Sequence, residues 1–278
     1  MKDLIQKRLE RYNPTCAEDE LMALKEITQE VVLYSLQKVG FFRDVCFLGG
    51  TSLRIIHGVN RFSEDLDFST TSTNKNFDLE YYLDRALNYL NAYGYDLSMD
   101  KKDLDGKAVK SRFLKDDSIK KVITFQYKQY PRQKIKIKVE IDTNPPEGAN
   151  RVVEYIEFPE DFSIASYDLP SLMSGKIHAL LCRPYPKGRD WFDFLWYISN
   201  KVSPNLIFLE NALFQQGPWK EKKINVDMLF IKQELLNKIS SLNFDEIRDD
   251  AQKFLMKEQA NSLDIWGVGL FENKINKL

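Results

Sequence analysis

The sequence has few of the residues that build zinc or disulfide sites. Its 278 residues include three cysteines and two histidines, and no two cysteines have the CxxC spacing of a zinc or redox motif. We therefore expect Cys16, Cys46 and Cys182 to be small buried hydrophobic side chains in a reducing compartment.

Long apolar runs are also missing. No stretch approaches the roughly 20 apolar residues of a membrane helix, and the charged start "MKDLIQKRLERYNP" has no apolar signal-peptide core. The formal net charge is -1, so charge alone draws the chain neither to nucleic acid nor to a membrane. We expect a cytoplasmic protein without membrane contact, on which the 40 Lys and Arg residues still permit a local basic patch.

The composition is that of a globular protein, with 43% hydrophobic and 29% charged residues. The length accommodates two modest domains or one large domain. Strand patterns occur before about residue 165, whereas helical patterns dominate after it. We predict an α+β fold with two domains: residues 1–165 form a mixed β-sheet flanked by helices, and residues 166–278 form an α-helical domain.

The predicted elements follow from hydrophobic spacing and from breakers. A helix over residues 15–40 begins with a capping box formed by Thr15 and Glu18 and ends at Gly40. A second helix over residues 76–96 has its stop at Gly94. The pattern also predicts strands over residues 44–50, 63–70, 120–130 and 133–145, and helices over residues 51–59, 171–183 and 190–202.

A glycine pair stands where the first predicted strand turns into a short helix. Gly49 and Gly50 are followed by Thr51 and Ser52, which open that helix. Glycine allows close approach of the backbone to a ligand, and a helix start presents backbone N–H groups to anions. The turn is therefore a candidate phosphate site; the alternative is a tight, capped turn without ligand.

Two aspartates alternate on the next predicted strand. Asp65 and Asp67 point to one face with Cα atoms about 6.6–7 Å apart, where their carboxylates repel unless a cation lies between them. A pair of divalent ions suits such a site when a neighbouring strand adds a third carboxylate. Glu140 and Asp142 both qualify, because they share one face of the strand over 133–145. The alternative is a solvated polar strand face.

The order of these motifs resembles a known family. "LGGTS", then "RFSEDLDF", then "VEI" or "IDT" resemble the AbiEii-type nucleotidyltransferases, toxins of bacterial abortive-infection and toxin–antitoxin systems within the DNA polymerase β-like superfamily. A later block, "GKIHALLCRPYPKGRDWFDFLWYI", resembles the family's lysine helix and its R-D-x-x-D motif through Lys176, Arg189, Asp190 and Asp193. The resemblance covers most of residues 47–198 and implies a nucleotidyltransferase-type sheet.

The resemblance implies a site with Mg²⁺ or Mn²⁺ as cofactor and an NTP as substrate. Metal ligands would be Asp65, Asp67 and either Glu140 or Asp142. Nucleotide contacts would come from Gly49, Gly50, Thr51, Ser52, Arg61 and Lys176, the turn residues acting through backbone N–H groups. Asp190 or Asp193 would order Lys176 or the nucleotide. For Arg61 the alternatives are a surface charge or a brace for the aspartate strand, and for Asp190 a helix cap.

The same resemblance implies that the enzyme adds NMP to the 3′ end of tRNA and so blocks translation, with an antitoxin encoded nearby. One alternative acceptor is a protein, including the enzyme itself. Another hypothesis is a non-catalytic nucleotide-binding regulator. The complete set of Asp65, Asp67 and Lys176 argues against that regulator, because a degenerate member would be expected to lose one of them.

Overall fold

The computed structural model describes residues 2–92, 95, 97–100, 108–116 and 135–278. The strand predicted over residues 120–130 and the helix stop predicted at Gly94 lie outside this part of the chain.

The described chain groups into two compact units. The first contains Met1–Gly58, Phe62–Pro145 and Val153–Ser166, and the second contains Val59–Arg61, Pro146–Val152 and Tyr167–Leu278. The division into domains at residue 165 stays a prediction, and two short earlier segments group with the later residues.

The described residues form a mixed sheet of seven strands. This sheet, with its flanking helices, confirms the predicted fold class. The strands are β1 (Val45–Leu48), β2 (Asp65–Thr70), β3 (Leu97–Asp100), β4 (Val109–Asp116), β5 (Ile135–Asp142), β6 (Arg151–Ile156) and β7 (Phe162–Tyr167), in the order β3-β4-β5-β2-β1-β7-β6. Strand β2 is antiparallel to β1 and parallel to β5. The two central strands that carry the predicted site, β2 and β5, are therefore immediate neighbours.

The described residues of the first unit form four α-helices and the short 3₁₀ helix Phe41–Arg43. They are α1 (Lys2–Tyr12), α2 (Ala17–Lys38), α3 (Gly49–Ile55) and α4 (Leu79–Ala92). Helix α2 is buried on most of its circumference, including Leu24, Ile27 and Leu33. A helix this enclosed needs apolar residues on more than one face, which its sequence supplies.

The predicted capping box of α2 is wrong by one residue. The helix begins at Ala17 after Cys16, so Thr15 lies one position outside the cap. Asp19, rather than Glu18, reaches back and accepts hydrogen bonds from the Thr15 backbone N–H (3.1 Å) and hydroxyl (2.7 Å). The predicted stop at Gly40 is confirmed: the helix ends at Lys38, and Gly40 has the left-handed φ of 80° typical of a helix terminator.

The second unit contains the remaining helices of the described chain. They are α5 (Leu169–Cys182), α6 (Gly188–Ser199), α7 (Leu206–Gln215), α8 (Met228–Ser240), α9 (Phe244–Gln252) and α10 (Val268–Ile275), with a 3₁₀ helix over Lys257–Leu263. Their shared core is aromatic: Trp191 contacts Phe271 edge-on with ring centroids 5.1 Å apart, and Trp266 contacts Phe271 at 5.4 Å. No helix in the described ranges combines the length and the hydropathy that crossing a bilayer requires.

Local sequence explains where four of these helices begin. Asp168, Asn205, Asp227 and Asn243 precede α5, α7, α8 and α9, and each side chain accepts a hydrogen bond from a backbone N–H of the first turn. Such caps satisfy donors that have no partner within the helix. Helix α5, which carries Lys176, is thereby fixed at its first residue.

Candidate functional site

The turn between β1 and α3 is in direct contact with the acidic strand. Leu48 pairs with Asp67 in the β1–β2 register, and Gly49 follows with a left-handed φ of 82°. A Cβ atom placed on Gly49 would lie 3.0 Å from the Cβ of Asp67 and closer still to its carboxylate. Glycine is thus required here both by backbone conformation and by the neighbouring aspartate.

The side chains of Thr51 and Ser52 are buried and hold the turn in place. The Thr51 hydroxyl donates to the backbone carbonyl of Asp65, and the Ser52 hydroxyl lies 3.2 Å from that of Ser166. Ser166 in turn donates to the carbonyl of Phe47 at 2.9 Å. These hydroxyls therefore connect α3 to β2 and β7, and the predicted contacts of Thr51 and Ser52 with phosphate rest on their backbone N–H groups alone.

The strand register brings one candidate third carboxylate level with the aspartates. In the parallel β2–β5 pair, Asp67 stands beside Glu140, whereas Asp142 stands beside Ser69, two residues further along. Directly paired residues on neighbouring strands are about 5 Å apart and share a face. The Glu140 side chain is 27% exposed and the two aspartates are partly exposed, so a ligand can reach all three.

Glu140 and Asp142 also differ in their own contacts. Glu140 forms an ion pair with Lys138 at 2.7 Å, a flexible partner on the same strand. Asp142 instead accepts a hydrogen bond from the Asn144 backbone N–H at 2.9 Å, and burial raises the pKa of its carboxyl despite that hydrogen bond. The contacts of Asp142 are those of a residue that caps the turn after β5.

The donor chemistry of Asp65, Asp67 and Glu140 fits Mg²⁺ or Mn²⁺, because both ions prefer carboxylate oxygens. Within the described ranges, no three His, Cys, Asp or Glu side chains are grouped closely enough to hold an ion. The residue types and the register therefore suit a metal, while the side chains do not form a closed cage around one position.

A three-residue segment directly before β2 is held by α1 and α2. Phe62 stacks on Tyr12 with ring centroids 6.2 Å apart, and the carbonyl of Ser63 accepts a hydrogen bond from the Gln29 side chain at 3.0 Å. Glu64 forms an ion pair with Lys25 of α2 at 2.9 Å. The letters F-S-E of the motif thus fix the chain immediately before Asp65.

A buried polar cluster links α3 to α1 and α2. Arg54 of α3 donates through Nε to both oxygens of Glu26 on α2, at 2.9 and 3.1 Å, and Tyr12 donates to the same carboxylate at 2.9 Å. Next to it, Arg8 pairs with Glu30. Burial raises the pKa of Glu30 to about 7, although the Arg8 charge opposes the shift. Sequence reasoning missed these residues; their one signal is acidic side chains on faces of α2 that are otherwise apolar.

In the second unit, Lys176 lies between the two aspartates that were predicted with it. Its ammonium group is 2.8 Å from a carboxylate oxygen of Asp190 and 2.8 Å from one of Asp193. Asp190 also pairs with Arg183. Burial alone would favour the protonated acid, but the charges of Lys176 and Arg183 outweigh it, and they hold the pKa of Asp190 below its ordinary value.

The capping alternative for Asp190 is wrong. Helix α6 begins at Gly188 after Lys187, so Asp190 lies inside the first turn. Its two carboxylate oxygens accept from Lys176 and Arg183 rather than from the start of the helix. Asp193, one turn further along, is fully buried.

The structure places Arg61 in this second cluster. Its guanidinium forms a two-pronged pair with Asp193, Nε to Oδ1 at 2.6 Å and Nη2 to Oδ2 at 2.6 Å. The side chain is 1% exposed, which excludes the surface-charge alternative. The same burial argues against the predicted direct contact of Arg61 with a nucleotide, because its guanidinium is enclosed with a carboxylate.

Comparison with known proteins agrees with the motifs. Residues 31–265 match the family model described as "Nucleotidyl transferase AbiEii toxin, Type IV TA system". No curated protein matches the chain in sequence.

One solved structure shows the same fold. The chain is similar to MenT4, a nucleotidyltransferase toxin from Mycobacterium tuberculosis H37Rv, with 16% identity and a TM-score of 0.51 over 99% of this chain and 98% of that one. It is also similar to JHP933 from Helicobacter pylori, with 19% identity and a TM-score of 0.48 over 91% and 94% of the two chains. The family match spans most of the sequence, and the chain belongs to the AbiEii family of nucleotidyltransferase toxins of type IV toxin–antitoxin systems.

Proposed function

We propose that the enzyme transfers NMP from an NTP to the 3′ end of tRNA in a reaction that depends on Mg²⁺ or Mn²⁺. In the reaction, an acceptor hydroxyl oxygen forms a bond to the α-phosphorus, the bond from that phosphorus to the bridging oxygen breaks, and pyrophosphate leaves while the hydroxyl proton goes to solvent. The observation that carries the proposal is the alignment of Glu140 with Asp67 on neighbouring strands, directly beside the Gly49 turn.

The proposed metal ligands are Asp65, Asp67 and Glu140. A divalent ion bound there would neutralise charge on the phosphates and make the acceptor hydroxyl more acidic. The register supports Glu140 over Asp142, since Asp142 stands beside Ser69 and caps the following turn. Backbone N–H groups of Gly49, Gly50, Thr51 and Ser52 would bind the phosphate oxygens.

Lys176 is the proposed cation for the triphosphate. A lysine ammonium has three N–H donors; Asp190 accepts one and Asp193 forms a second ion pair, so a donor remains for a phosphate oxygen. The side chain is 13% exposed, so solvent reaches it despite the two ion pairs. Asp190 and Asp193 would then orient the ammonium rather than contact the nucleotide themselves.

The tRNA acceptor is supported by the family motifs and not by a feature of the sheet. Blocked tRNA ends would stop translation, which fits a toxin whose family belongs to type IV toxin–antitoxin systems. We expect an antitoxin encoded beside the gene. We also place the reaction in the cytoplasm, where NTPs and tRNA are both present.

The acceptor can be identified by incubating the enzyme with Mg²⁺, each NTP labelled on its α-phosphate, total tRNA and a cell extract. We expect label on tRNA that ribonuclease removes and protease does not. Label that protease alone removes would show a protein acceptor instead. Binding of an NTP without transfer to any acceptor would show a non-catalytic regulator and contradict the proposal.

A further inference from the structure

The second unit contains an alternating chain of charged side chains. Its members, in spatial order, are Arg61, Asp193, Lys176, Asp190 and Arg183, and each neighbouring pair is joined by an ion pair. Three cations and two carboxylates leave one unit of positive charge on the chain. Lys176 is at its centre, so the balance between the two ends determines how strongly each carboxylate holds its ammonium group.

The two ends of this chain differ in burial. The side chain of Arg183 is 41% exposed, whereas the side chains of Arg61 and Asp193 are 1% and 0% exposed. A buried charge is costly unless it is paired and hydrogen-bonded, and the two parallel hydrogen bonds of Arg61 meet that requirement for Asp193. Asp193 is thus fixed in orientation by Arg61.

The shared oxygen connects this pair to Lys176. Oδ2 of Asp193 accepts from Arg61 at 2.6 Å and also lies 2.8 Å from the Lys176 ammonium. Without the guanidinium, Lys176 would be the remaining ion-pair partner of Asp193 among the described residues, and the alternating chain would carry no net charge. The ammonium would then share only Asp190 with an arginine, whereas in the intact protein it shares both aspartates with arginines.

We propose that Arg61 is a positioning residue for Lys176, which acts through Asp193 and keeps the ammonium available to the triphosphate. This inference rests on the proposed function, because it assigns Lys176 to the nucleotide. The motif suggested a direct phosphate contact for Arg61; in this role Arg61 instead acts on the ligand through two residues, Asp193 and Lys176.

A double-mutant cycle with Lys176 tests the route of the effect. The dissociation constant of each NTP in the presence of Mg²⁺ is measured for the wild type, Arg61→Met, Lys176→Met and the double variant, together with their melting temperatures. We expect Arg61→Met to weaken binding of the tightest-binding NTP by about tenfold or more, within the range of coupled neighbours. In the Lys176→Met background the same change should alter binding less than about twofold.

Two further variants separate this role from general loss of structure. Arg61→Lys keeps the charge but not the two-pronged geometry, and we expect an intermediate loss of affinity, again absent without Lys176. If Arg61→Met does not fold, Arg61→Lys decides the question. Arg112→Met is the control, since it removes a largely buried arginine from another ion pair, with Glu80, and should leave NTP affinity unchanged.

The possible outcomes are distinguishable. Equal losses in both backgrounds would show that Arg61 acts independently of Lys176, and unchanged affinity in both Arg61 variants would show no role in binding. Either result overturns the inference alone. A wild-type protein that binds no NTP would overturn the proposed function itself.

Discussion

Replacing Gly49 by alanine should disturb Asp67 as well as the backbone. The φ of 82° is left-handed, and an L-residue there costs about 1–2 kcal/mol. The new methyl group would also lie 3.0 Å from the Cβ of Asp67, and such overpacking costs about 1–3 kcal/mol more. We therefore expect Gly49→Ala to lower the free energy of unfolding by about 2–5 kcal/mol.

Gly58 provides a matched control for the backbone cost. Its φ is 70°, and a Cβ atom placed there meets no atom within 4 Å. Gly58→Ala should therefore lose about 1–2 kcal/mol from backbone strain alone. The difference between the two variants, about 1–3 kcal/mol in urea unfolding, measures the collision with Asp67.

The same pair of variants separates stability from activity. A displaced catalytic group costs about 100-fold in rate for a shift near 1 Å, so Gly49→Ala should lose about that much nucleotide transfer. Gly58→Ala should retain wild-type transfer at a temperature where both variants are folded. Equal destabilisation of the two variants, with full activity in both, would refute the close contact between the turn and the acidic strand.

Three further changes test other parts of the site. Glu140→Gln should reduce transfer by about 100-fold or more, as expected when a metal-bound carboxylate is lost, whereas Asp142→Asn should reduce it by less than about tenfold. The reverse order would assign the third carboxylate to Asp142. Removing divalent ions with EDTA should abolish transfer, and Mg²⁺ or Mn²⁺ but not Ca²⁺ should restore it; full activity in EDTA would exclude the proposed metal dependence. For Glu30, the pKa is raised from 4.5 to about 7 in the folded state, so the unfolded chain releases this proton first and stability falls as pH rises from about 4.5 to 7. The wild type should lose this stability as pH rises, and Glu30→Gln, which has no carboxyl to titrate, should not. The difference in unfolding free energy between variant and wild type should therefore change by about 3 kcal/mol in favour of the variant from pH 4.5 to 7, as measured by urea titration at several pH values. A difference that stays constant with pH would contradict the raised pKa.

Hydrophobic alternation was enough to predict the strands that carry the site. In β5 the buried residues Ile135, Ile137 and Val139 alternate with more exposed ones, as period-2 spacing requires. Strand β4 was missed because its apolar residues do not follow that rule. Val109 and Phe113 are 44% and 38% exposed, so the strand has no apolar face that its sequence would reveal.

Strand β6 was missed for a related reason. It lies at one edge of the sheet, and its Val153 and Tyr155 are exposed. The run "FSIASY", which forms β7, was not predicted as a strand, although it pairs with β1 at Ser166 and Phe47. Edge position and long-range pairing are decided by tertiary packing, which local spacing does not contain.

The choice between Glu140 and Asp142 needed information of the same kind. Both share a face of β5, and only the register against β2 places Glu140 beside Asp67. A shift of two residues would have placed Asp142 there without changing any side-chain pattern. Likewise, no local signal joins Arg61 to Asp193, because the pair is made between segments that are distant in sequence.

The measurement that tests the central assignment most directly is pyrophosphate release by the wild type and by Asp67→Asn. Each protein is incubated with Mg²⁺, the four NTPs and total tRNA, and its fold is checked by circular dichroism. We expect release by the wild type that requires tRNA, and a loss of about 100-fold or more in the variant, which keeps the shape of the side chain but not its charge. Release at the wild-type rate by a folded Asp67→Asn variant would contradict the placement of the catalytic metal site on β2.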